Sequence, residues 1–385
     1  DYYASRGLGD VYKRQNYNFR NYNYRLFLYV LLLNILGVLL IRSATNQDMA
    51  VVGKQIMGIA VGLVLVIGLS LLDYHKVLSL APFIYGICIA GLIAVLVAGV
   101  SRGGATRWLV LPGIGQIQPS EFAKIGLIVF FSWFFSKNQE KINRPTVLAL
   151  GAALYLMVFL LIYEQPDLST DLVTMFVFLC ILFAAGISYR WILGGVAVVI
   201  PCGVLFVYLL QYHMVPFLHE YQVKRILAFV NPSQYAEANL QQKNSIMAIG
   251  SGMLHGKGLN NNTLASVKNG NFLSEEQTDF IFAVVGEELG FIGCALVILL
   301  IALIVFECLI MAARAKDMAG KLLCVGLAGQ LAFQSFSNIA VATGIFPNTG
   351  LPLPFISYGV SSLIGSYFGI GIALNVGLQR RNSNY

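Results

Sequence analysis

Charged residues are scarce in this sequence. Asp, Glu, Lys and Arg make up 11% of the 385 residues, whereas hydrophobic residues make up 57%. A water-soluble domain carries roughly a quarter charged residues, so this composition excludes an ordinary soluble protein. Most of the chain consists of apolar runs of spanning length joined by short connectors, which predicts an all-α polytopic membrane protein.

Cysteine and histidine are also few, and neither shows a ligand pattern. The six cysteines lie in apolar runs without a CxxC pair, which predicts small buried side chains rather than a disulfide or metal set. Of the four histidines, His213 and His219 are six residues apart and do not share one helical face. No metal site is predicted from these residues.

The apolar runs predict ten transmembrane helices, with a long extracytoplasmic loop between the seventh and the eighth. The helices are expected at about 26–41, 56–72, 84–100, 122–135, 148–162, 172–185, 192–210, 280–302, 322–342 and 355–374. Residues 25–379 then form a single membrane domain, with its extracytoplasmic loop at 213–280 and a tail at 380–385. Residues 1–24 are a polar lead without a cleavable signal, of which 1–15 fit nothing downstream and resemble an assembly remnant.

The orientation follows from the basic residues, because cytoplasmic connectors carry an excess of Lys and Arg. With a cytoplasmic N-terminus, these residues fall on the cytoplasmic side: His75, Lys76, Lys137, Lys141, Arg144, Arg190, Arg314, Lys316, Lys321, Arg380 and Arg381. Both termini are therefore predicted to be cytoplasmic. The net charge of +7 then reflects topology, and nucleic-acid binding is not indicated.

One carboxylate stands at the mouth of the eighth predicted helix. Asp279 directly precedes the apolar run Phe280–Val285, at the end of the long polar loop. Ionisable groups at membrane depth are costly and usually functional, and desolvation there favours the proton uptake that a general base performs. The alternative is an N-cap formed by Thr278 or Asp279. The residues alone leave catalysis and capping equally open.

Two other groups of charged residues lie close to predicted helix starts. Glu121 and Lys124 follow a Pro–Ser helix start and are three residues apart, so they share a face and can pair. A structural ion pair and a substrate-facing pair are both open. Asp167 precedes Leu–Ser–Thr and an apolar run, which favours a helix cap over a substrate contact.

Three segments interrupt the helical pattern. Gly250–Gly258 (GSGMLHGKG) lacks the spacing and the Ser or Thr of a nucleotide-binding loop, which favours a re-entrant turn, although Lys257 could approach a phosphate. In Asn338–Ser362, three prolines prevent a continuous helix, so irregular backbone is expected to line a cavity at membrane depth rather than form a tight turn. The basic, apolar stretch Val223–Pro232 suits the membrane interface, where its cations could meet anionic headgroups.

These segments, in this order, resemble the SEDS family of shape, elongation, division and sporulation proteins. The resemblance is carried by Arg107–Trp108, QPSEFAK (Gln118–Lys124), QPDL (Gln165–Leu168), KRILAFVNP (Lys224–Pro232), AIGSG and GKG (within Ala248–Gly258), TDFIFAVVGEELG (Thr278–Gly290) and TGLPLPFISYG (Thr349–Gly359). It covers the chain from about Arg25 onward. GKQIMG (Gly53–Gly58) leading into SLLDYH (Ser70–His75) favours the elongation branch of the family over the division branch.

The resemblance implies a ten-helix bundle in the bacterial cytoplasmic membrane that polymerises lipid II into peptidoglycan strands at the outer face during elongation and shape maintenance. It also implies a class B penicillin-binding protein as partner and contact with membrane lipid. Asp279 matches the family's essential aspartate, the general base on the acceptor 4-hydroxyl, with undecaprenyl pyrophosphate as the leaving group. Candidate substrate-binding residues are Arg107, Glu121, Lys124, Asp167, Arg225, Lys257 and Ser357. The resemblance implies no particular cofactor, and a bound Mg²⁺ or Mn²⁺ is an alternative to these side chains as the source of positive charge.

Two other functions compete with the polymerase. A flippase for the lipid-linked precursor would need polar intramembrane residues in both leaflets, whereas the candidate residues crowd the extracytoplasmic side. A non-catalytic scaffold for a penicillin-binding protein is the third hypothesis.

Overall fold

The computed structural model describes residues 21–102, 105–111, 115–211, 220–230, 234–260 and 276–379. Most of these residues are helical. The helices are α1 (Tyr24–Ala44), α2 (Met49–Leu71), α3 (Tyr74–Ser79), α4 (Ala81–Ala98), α5 (Pro119–Lys137), α6 (Pro145–Tyr163), α7 (Leu168–Ala184), α8 (Tyr189–Gln211), α9 (Glu220–Val230), α10 (Ala236–Ser251), α11 (Ile281–Ala313), α12 (Met318–Ala342) and α13 (Val360–Leu378). The all-α membrane fold predicted from composition is therefore confirmed.

Seven of these helices are long and apolar enough to cross a membrane: α1, α2, α4, α6, α11, α12 and α13. Helices α5, α7 and α8 lie where the sequence predicts three more spans. Helix α7 has only 17 residues, and α5 carries the charged pair Glu121 and Lys124, which lowers its hydropathy. The count of ten spanning helices therefore stays a prediction. The predicted remnant at 1–15 and the tail at 380–385 lie outside the described residues.

The connector between α4 and α5 contains a small sheet, which the sequence analysis does not predict. Strands β1 (Val100–Arg102), β2 (Ala105–Leu111) and β3 (Gly115–Ile117) form an antiparallel meander in the order β1-β2-β3. Val100 pairs with Trp108, and Leu109 pairs with Ile117. Thr106, Trp108 and Val110 alternate with other residues along β2, but this alternation is too short to predict a strand among the neighbouring glycines.

The centre of the bundle is formed by α12 and α13. In the most apolar window of α13, 83% of the residues are buried, against 22% in α4 and in α6. Helix α13 packs on α2, and α12 packs on α11, α7 and α5. The peripheral helices therefore expose their large apolar side chains to the lipid that the bundle requires. All six cysteines are free thiols, as predicted, although Cys202 on α8 is exposed rather than buried.

A polar cluster joins three elements at the predicted cytoplasmic end. The two ring nitrogens of His75 lie 2.9 Å from Asp73 Oδ1 and 2.8 Å from Asp317 Oδ2. Gln379, just after α13, donates to Asp73 Oδ1 at 3.1 Å. Desolvation opposes the ionisation of Asp73, but the hydrogen bonds from His75 and Gln379 outweigh it and lower the pKa of this carboxyl group. The cluster thus holds the starts of α3 and α12 and the end of α13 together.

Helix α11 is broken at Gly290, where the backbone adopts φ 64° and ψ −162°. The break is filled by residues 253–258, which follow α10. The N–H groups of Lys257 and Gly258 donate to the carbonyls of Glu287 and Glu288 at 2.9 and 3.0 Å. In return, the N–H groups one turn further along α11, at residues 291 and 292, donate to the carbonyls of residues 253 and 254. The loop therefore supplies the hydrogen bonds that the helix loses at its break.

This insertion explains the glycines of the Gly250–Gly258 segment. A Cβ at Gly256, which has φ +77°, would overlap the carbonyl group of Glu288. A Cβ at Gly290 would overlap the backbone of Gly256 in the same way. Only glycine allows this close backbone approach at a positive φ. The structure shows a turn at this segment, and the turn joins the end of α10 to α11.

Candidate functional site

Asp279 lies in the last turn before α11. The helix begins at Ile281, and its N-cap position is Phe280, which has no side-chain capping bond. The capping alternative for Asp279 is therefore wrong, because the residue stands one position too early. Its side chain is partly exposed, whereas Phe280 and Ile281 are buried.

The irregular tract Asn338–Ser362 surrounds the turn that carries Asp279. Asn338 Nδ2 donates to the Asp279 carbonyl oxygen at 2.8 Å. Ser357 Oγ donates to the carbonyl of Thr278 at 2.6 Å, and the N–H of Tyr358 donates to that of Gln277 at 2.8 Å. Three consecutive carbonyls, from 277 to 279, are thus fixed by the tract. Ser357 holds the backbone of the turn in this structure, and its predicted contact with substrate is untested.

The same tract runs at membrane depth, as its prolines predict. Gly37, in the middle of α1, lies against the backbone of Phe355 and Ile356, so that a Cβ there would come within 2.9 Å of either. Phe355 adopts φ 64°, which is rare for a bulky residue and recurs at functional sites. Irregular backbone at this depth is tolerated only where protein or water surrounds it.

Two charged side chains converge on Gly350. This residue has φ +74°, and a Cβ built on it would lie 3.1 Å from Asp279 Oδ2 and 3.8 Å from Arg225 Nη1. Arg225, on α9, also donates to the Asn348 carbonyl at 3.3 Å. The sequence pattern of Val223–Pro232 predicted that its cations meet lipid headgroups. For Arg225 this prediction is corrected, because its guanidinium turns inward toward the tract.

Arg107 and Asp167 meet at the start of α7. Arg107 Nη1 lies 3.6 Å from Asp167 Oδ1, and Arg107 also donates to the carbonyls of Gln165 and Pro166. Asp167 accepts from the N–H of Thr170 at 3.2 Å, which confirms the predicted helix cap. Both side chains are mostly buried in contacts within the protein, so they shape this wall of the site.

Glu121 and Lys124 form the predicted pair, and both are buried. Lys124 Nζ lies 2.9 Å from the Glu121 carboxylate and 2.9 Å from Gln334 Oε1. Gln334 in turn donates to the carbonyl of Pro352 at 2.9 Å. The side chain of Lys124 is 0% exposed and that of Glu121 is 4% exposed. The pair is therefore a structural contact between α5, α12 and the tract. A direct contact with substrate stays a prediction.

Lys257 is the one candidate that does not join this group of residues. Its ammonium lies 2.7 Å from Glu287 Oε1, on the first segment of α11. The neighbouring Glu288 accepts from Ser43 at the end of α1. Lys257 therefore belongs to the junction between the loop and α11. Its predicted contact with a phosphate is untested.

The residues described do not offer a metal site. Within them, no group of three His, Cys, Asp or Glu side chains lies close enough together to hold an ion. Asp279 is accompanied by the cation Arg225 rather than by a second carboxylate. This donor set does not fit a resident Mg²⁺ or Mn²⁺.

The sequence analysis missed the amides that assemble the site. Asn338 and Gln334 are four residues apart on one face of α12 and hold the tract at Leu351 and Pro352. Gln118 links Asp167 and Ser361. A side-chain amide in an apolar helix is costly unless it is hydrogen-bonded. The polar residues Asn338 and Gln334 within a predicted membrane helix therefore could have indicated buried hydrogen-bonding partners.

With this geometry in place, comparison with known proteins gives a consistent result. The family model described as a cell cycle protein, FtsW/RodA/SpoVE, matches residues 24–382. The chain is 37% identical over 350 residues to the peptidoglycan glycosyltransferase MrdB of Escherichia coli K12, covering 90% of this chain and 91% of MrdB. Relatives named probable peptidoglycan glycosyltransferase FtsW also match.

Solved structures agree with the sequence comparison. A chain from a peptidoglycan synthase complex, described for its coordination of polymerization and crosslinking, superposes with a TM-score of 0.76 at 30% identity. The match covers 92% of this chain and 97% of the other. The rod shape-determining protein RodA of Thermus thermophilus gives a TM-score of 0.68 at 29% identity, covering 94% and 98%.

The fold and the site thus define a polytopic membrane protein with a carboxylate–guanidinium site at one end of its bundle. The chain belongs to the FtsW/RodA/SpoVE family, the SEDS family that its motifs resemble.

Proposed function

We propose that this chain is a peptidoglycan glycosyltransferase that polymerises lipid II at the outer face of the cytoplasmic membrane. The observation that carries the proposal is the convergence of the Asp279 carboxylate and the Arg225 guanidinium on Gly350. One anionic and one cationic group beside each other match the two demands of glycosyl transfer. A proton must leave the acceptor, and negative charge must be stabilised on the leaving group.

Asp279 serves as the general base in this proposal. Its carboxylate accepts the proton of the acceptor GlcNAc 4-hydroxyl as that oxygen attacks the anomeric carbon of the donor. The bond to the pyrophosphate breaks, and the configuration inverts without a covalent intermediate. One well-placed carboxylate suffices for this step, and the fixed carbonyls of residues 277–279 keep it in place.

Arg225 stabilises the departing undecaprenyl pyrophosphate. A guanidinium binds phosphate oxygens through two parallel hydrogen bonds, and Arg225 is only half-buried, so a ligand can reach it. Its bond to the Asn348 carbonyl orients the side chain toward the tract. Lys124 and Arg107 contribute positive potential from within the walls rather than through direct contact.

The position of the polar residues supports surface chemistry over lipid transport. Helices α5, α7 and α11 begin beside the site, and α12 ends there. The buried polar contacts of Glu121, Lys124, Asp167 and Asn338 therefore lie at one end of the bundle. A flippase would need such groups along a path through both leaflets.

We further infer a role in cell elongation with a class B penicillin-binding protein as partner. The elongation motifs near α2 support the first inference. The second is supported by the likeness to a chain from a complex described for coordinating polymerization and crosslinking. The positive-inside rule supports cytoplasmic termini, which accessibility labelling of cysteines introduced near 379 and 260 would test.

The proposal is tested by supplying purified protein and its partner with lipid II and measuring glycan polymer. We expect polymer from the wild type and none from Asp279→Asn, with unchanged thermal stability. Asp48→Asn is the matched control. Asp48 is an exposed N-cap of α2, and asparagine caps equally well, so activity should persist.

The flippase alternative is measured on the same preparation. Reconstituted vesicles with labelled lipid II report transfer between leaflets. Transfer without polymer would replace the polymerase proposal. Normal polymer from Asp279→Asn would refute the general-base assignment while leaving the polymerase activity in place.

A further inference from the structure

A cavity of about 480 Å³ lies at the end of the bundle opposite Asp279. It is formed where α1 begins and α11 ends, with Gly377 near the end of α13 completing its wall. Its wall includes Arg25 in the first turn of α1 and Arg314 at the C-cap of α11, with Ile310 and Met311 below them. A cleft this large and far from the catalytic carboxylate is not needed for glycosyl transfer.

The two arginines are available to a ligand. Both side chains are exposed, and neither makes a hydrogen bond or ion pair within the described part of the chain. The acidic residue in the wall, Glu307, is 8% exposed and accepts from Asn23 Nδ2 at 2.8 Å. Glu307 lies seven residues before Arg314, about 10 Å deeper along the helix. The outer part of the cavity is therefore cationic.

The depth of the cavity fits a lipid headgroup. Arg314 belongs to the basic residues predicted to face the cytoplasm, and Arg25 lies at the start of α1, next to the predicted cytoplasmic N-terminus. Anionic lipids of the cytoplasmic leaflet attract Lys and Arg there. Arginine stems lie along apolar surface and carry the charge to the headgroup region. Ile310 is partly exposed and lies one turn before Arg314 on the same face of α11, toward the membrane interior, so an acyl chain can run beside it.

We propose that this cavity binds the phosphate group of an anionic glycerophospholipid of the cytoplasmic leaflet, held between Arg25 and Arg314. The guanidinium groups match the phosphate oxygens in charge and geometry. Pockets of basic residues between membrane helices at this level recognise acidic headgroups. The site ties the start of α1 to the end of α11 and does not depend on the proposed catalytic role of Asp279.

The test is native mass spectrometry of the full chain in detergent, titrated with phosphatidylglycerol. We expect one lipid bound to the wild type and affinity lowered roughly 25-fold in R25Q/R314Q, since each basic group near a membrane surface contributes about fivefold. The matched control is R144Q/R190Q, which removes two exposed cytoplasmic arginines outside the cavity and should bind as the wild type does. Surface substitutions of this kind leave folding intact.

Two outcomes overturn the proposal. Equal retention of phosphatidylglycerol by R25Q/R314Q and the wild type would show that the lipid binds elsewhere. Inorganic phosphate in place of lipid distinguishes the two sources of a phosphate group. If it displaces phosphatidylglycerol at equal concentration, the ligand is a free phosphate and not a lipid.

Discussion

The side-chain amide of Asn338 joins α12 to the backbone of Asp279. Its Nδ2 lies 2.8 Å from the Asp279 carbonyl oxygen and 2.7 Å from that of Leu351. Asn338 is 1% exposed. One buried amide thus sets the distance between the turn that carries Asp279 and Leu351 of the tract.

Replacing the Asn338 amide should lower kcat by more than the loss of folding stability accounts for. In Asn338→Leu, two buried carbonyls lose a donor, at about 1–3 kcal/mol each, and the Asp279 turn is released. We expect kcat to fall at least roughly tenfold, which corresponds to about 1.4 kcal/mol in the barrier. A lipid II polymerisation assay at saturating substrate measures it.

Asn375→Leu is the matched control. Asn375 is also a fully buried amide with two bonds between elements, to Ser70 and Tyr74, but it lies at the other end of the bundle. It should lower the melting temperature by a similar amount and leave kcat of the folded fraction unchanged. An equal loss of kcat in both variants would mean that Asn338 acts only through stability.

The pair Glu121–Lys124 should behave as a structural unit. In Lys124→Met, the carboxylate of Glu121 is left buried and uncompensated, which costs about 3–5 kcal/mol. Removing both charges in Glu121→Gln/Lys124→Met should restore most of this stability, because the unpaired charge is gone. Thermal unfolding in detergent measures both. A stable Lys124→Met protein without polymerase activity would instead indicate a direct contact with substrate.

Replacing Asp167 and Asp171, which lie one helical turn apart, should change the free energy of unfolding in opposite directions. Asp171 is 0% exposed, and neither of its carboxylate oxygens has a hydrogen-bond partner in the described structure. Asp171→Leu should therefore raise the free energy of unfolding by about 1–3 kcal/mol. Asp167→Leu should lower it by more than the roughly 1 kcal/mol of the lost helix cap, because the mostly buried Arg107 also loses its ion pair. If Asp171→Leu is destabilising, its carboxylate has a function that its buried contacts do not reveal.

The glycines at the break in α11 should be irreplaceable. Gly256→Ala places a Cβ against Glu288 at a positive φ, with a cost of at least about 1–3 kcal/mol. Gly250→Ala is the control, since a Cβ there meets open space on a helix and alanine favours helix by up to about 1 kcal/mol. Hydrogen exchange at residues 287–292 reports whether the junction opens. Equal protection in both variants would contradict the proposed role of the insertion.

Much of the fold could be predicted from the sequence because lipid leaves few choices. Long apolar runs must be helical, and the prolines of Asn338–Ser362 forbid helix, so both features follow from backbone hydrogen bonding alone. The cap at Asp167 and the pair of Glu121 and Lys124 depend only on spacing within one helix. These local predictions are confirmed.

The contacts between distant segments could not be predicted in this way. Arg225 looked like a residue for the membrane surface, and only the tertiary fold turns it toward Gly350. Lys257 pairs with Glu287, which lies thirty residues further along the chain. The local pattern around Lys257 does not show this pairing, and suggested only that Lys257 could approach a phosphate. The sheet at 100–117 was hidden by its short strands. Such pairings depend on which helices pack together, and the pattern of a single segment does not contain that information.

The insertion at Gly290 also divides α11 mechanically. Of the nine carbonyls in its first segment, those of Glu287 and Glu288 accept hydrogen bonds from the loop that follows α10. At the other end of the segment, Asn338, Ser357 and Tyr358 hold the carbonyls of the turn that carries Asp279. The segment between them is buried. The loop and the tract therefore clamp the two ends of one short helix, which keeps the proposed general base in place beside Gly350.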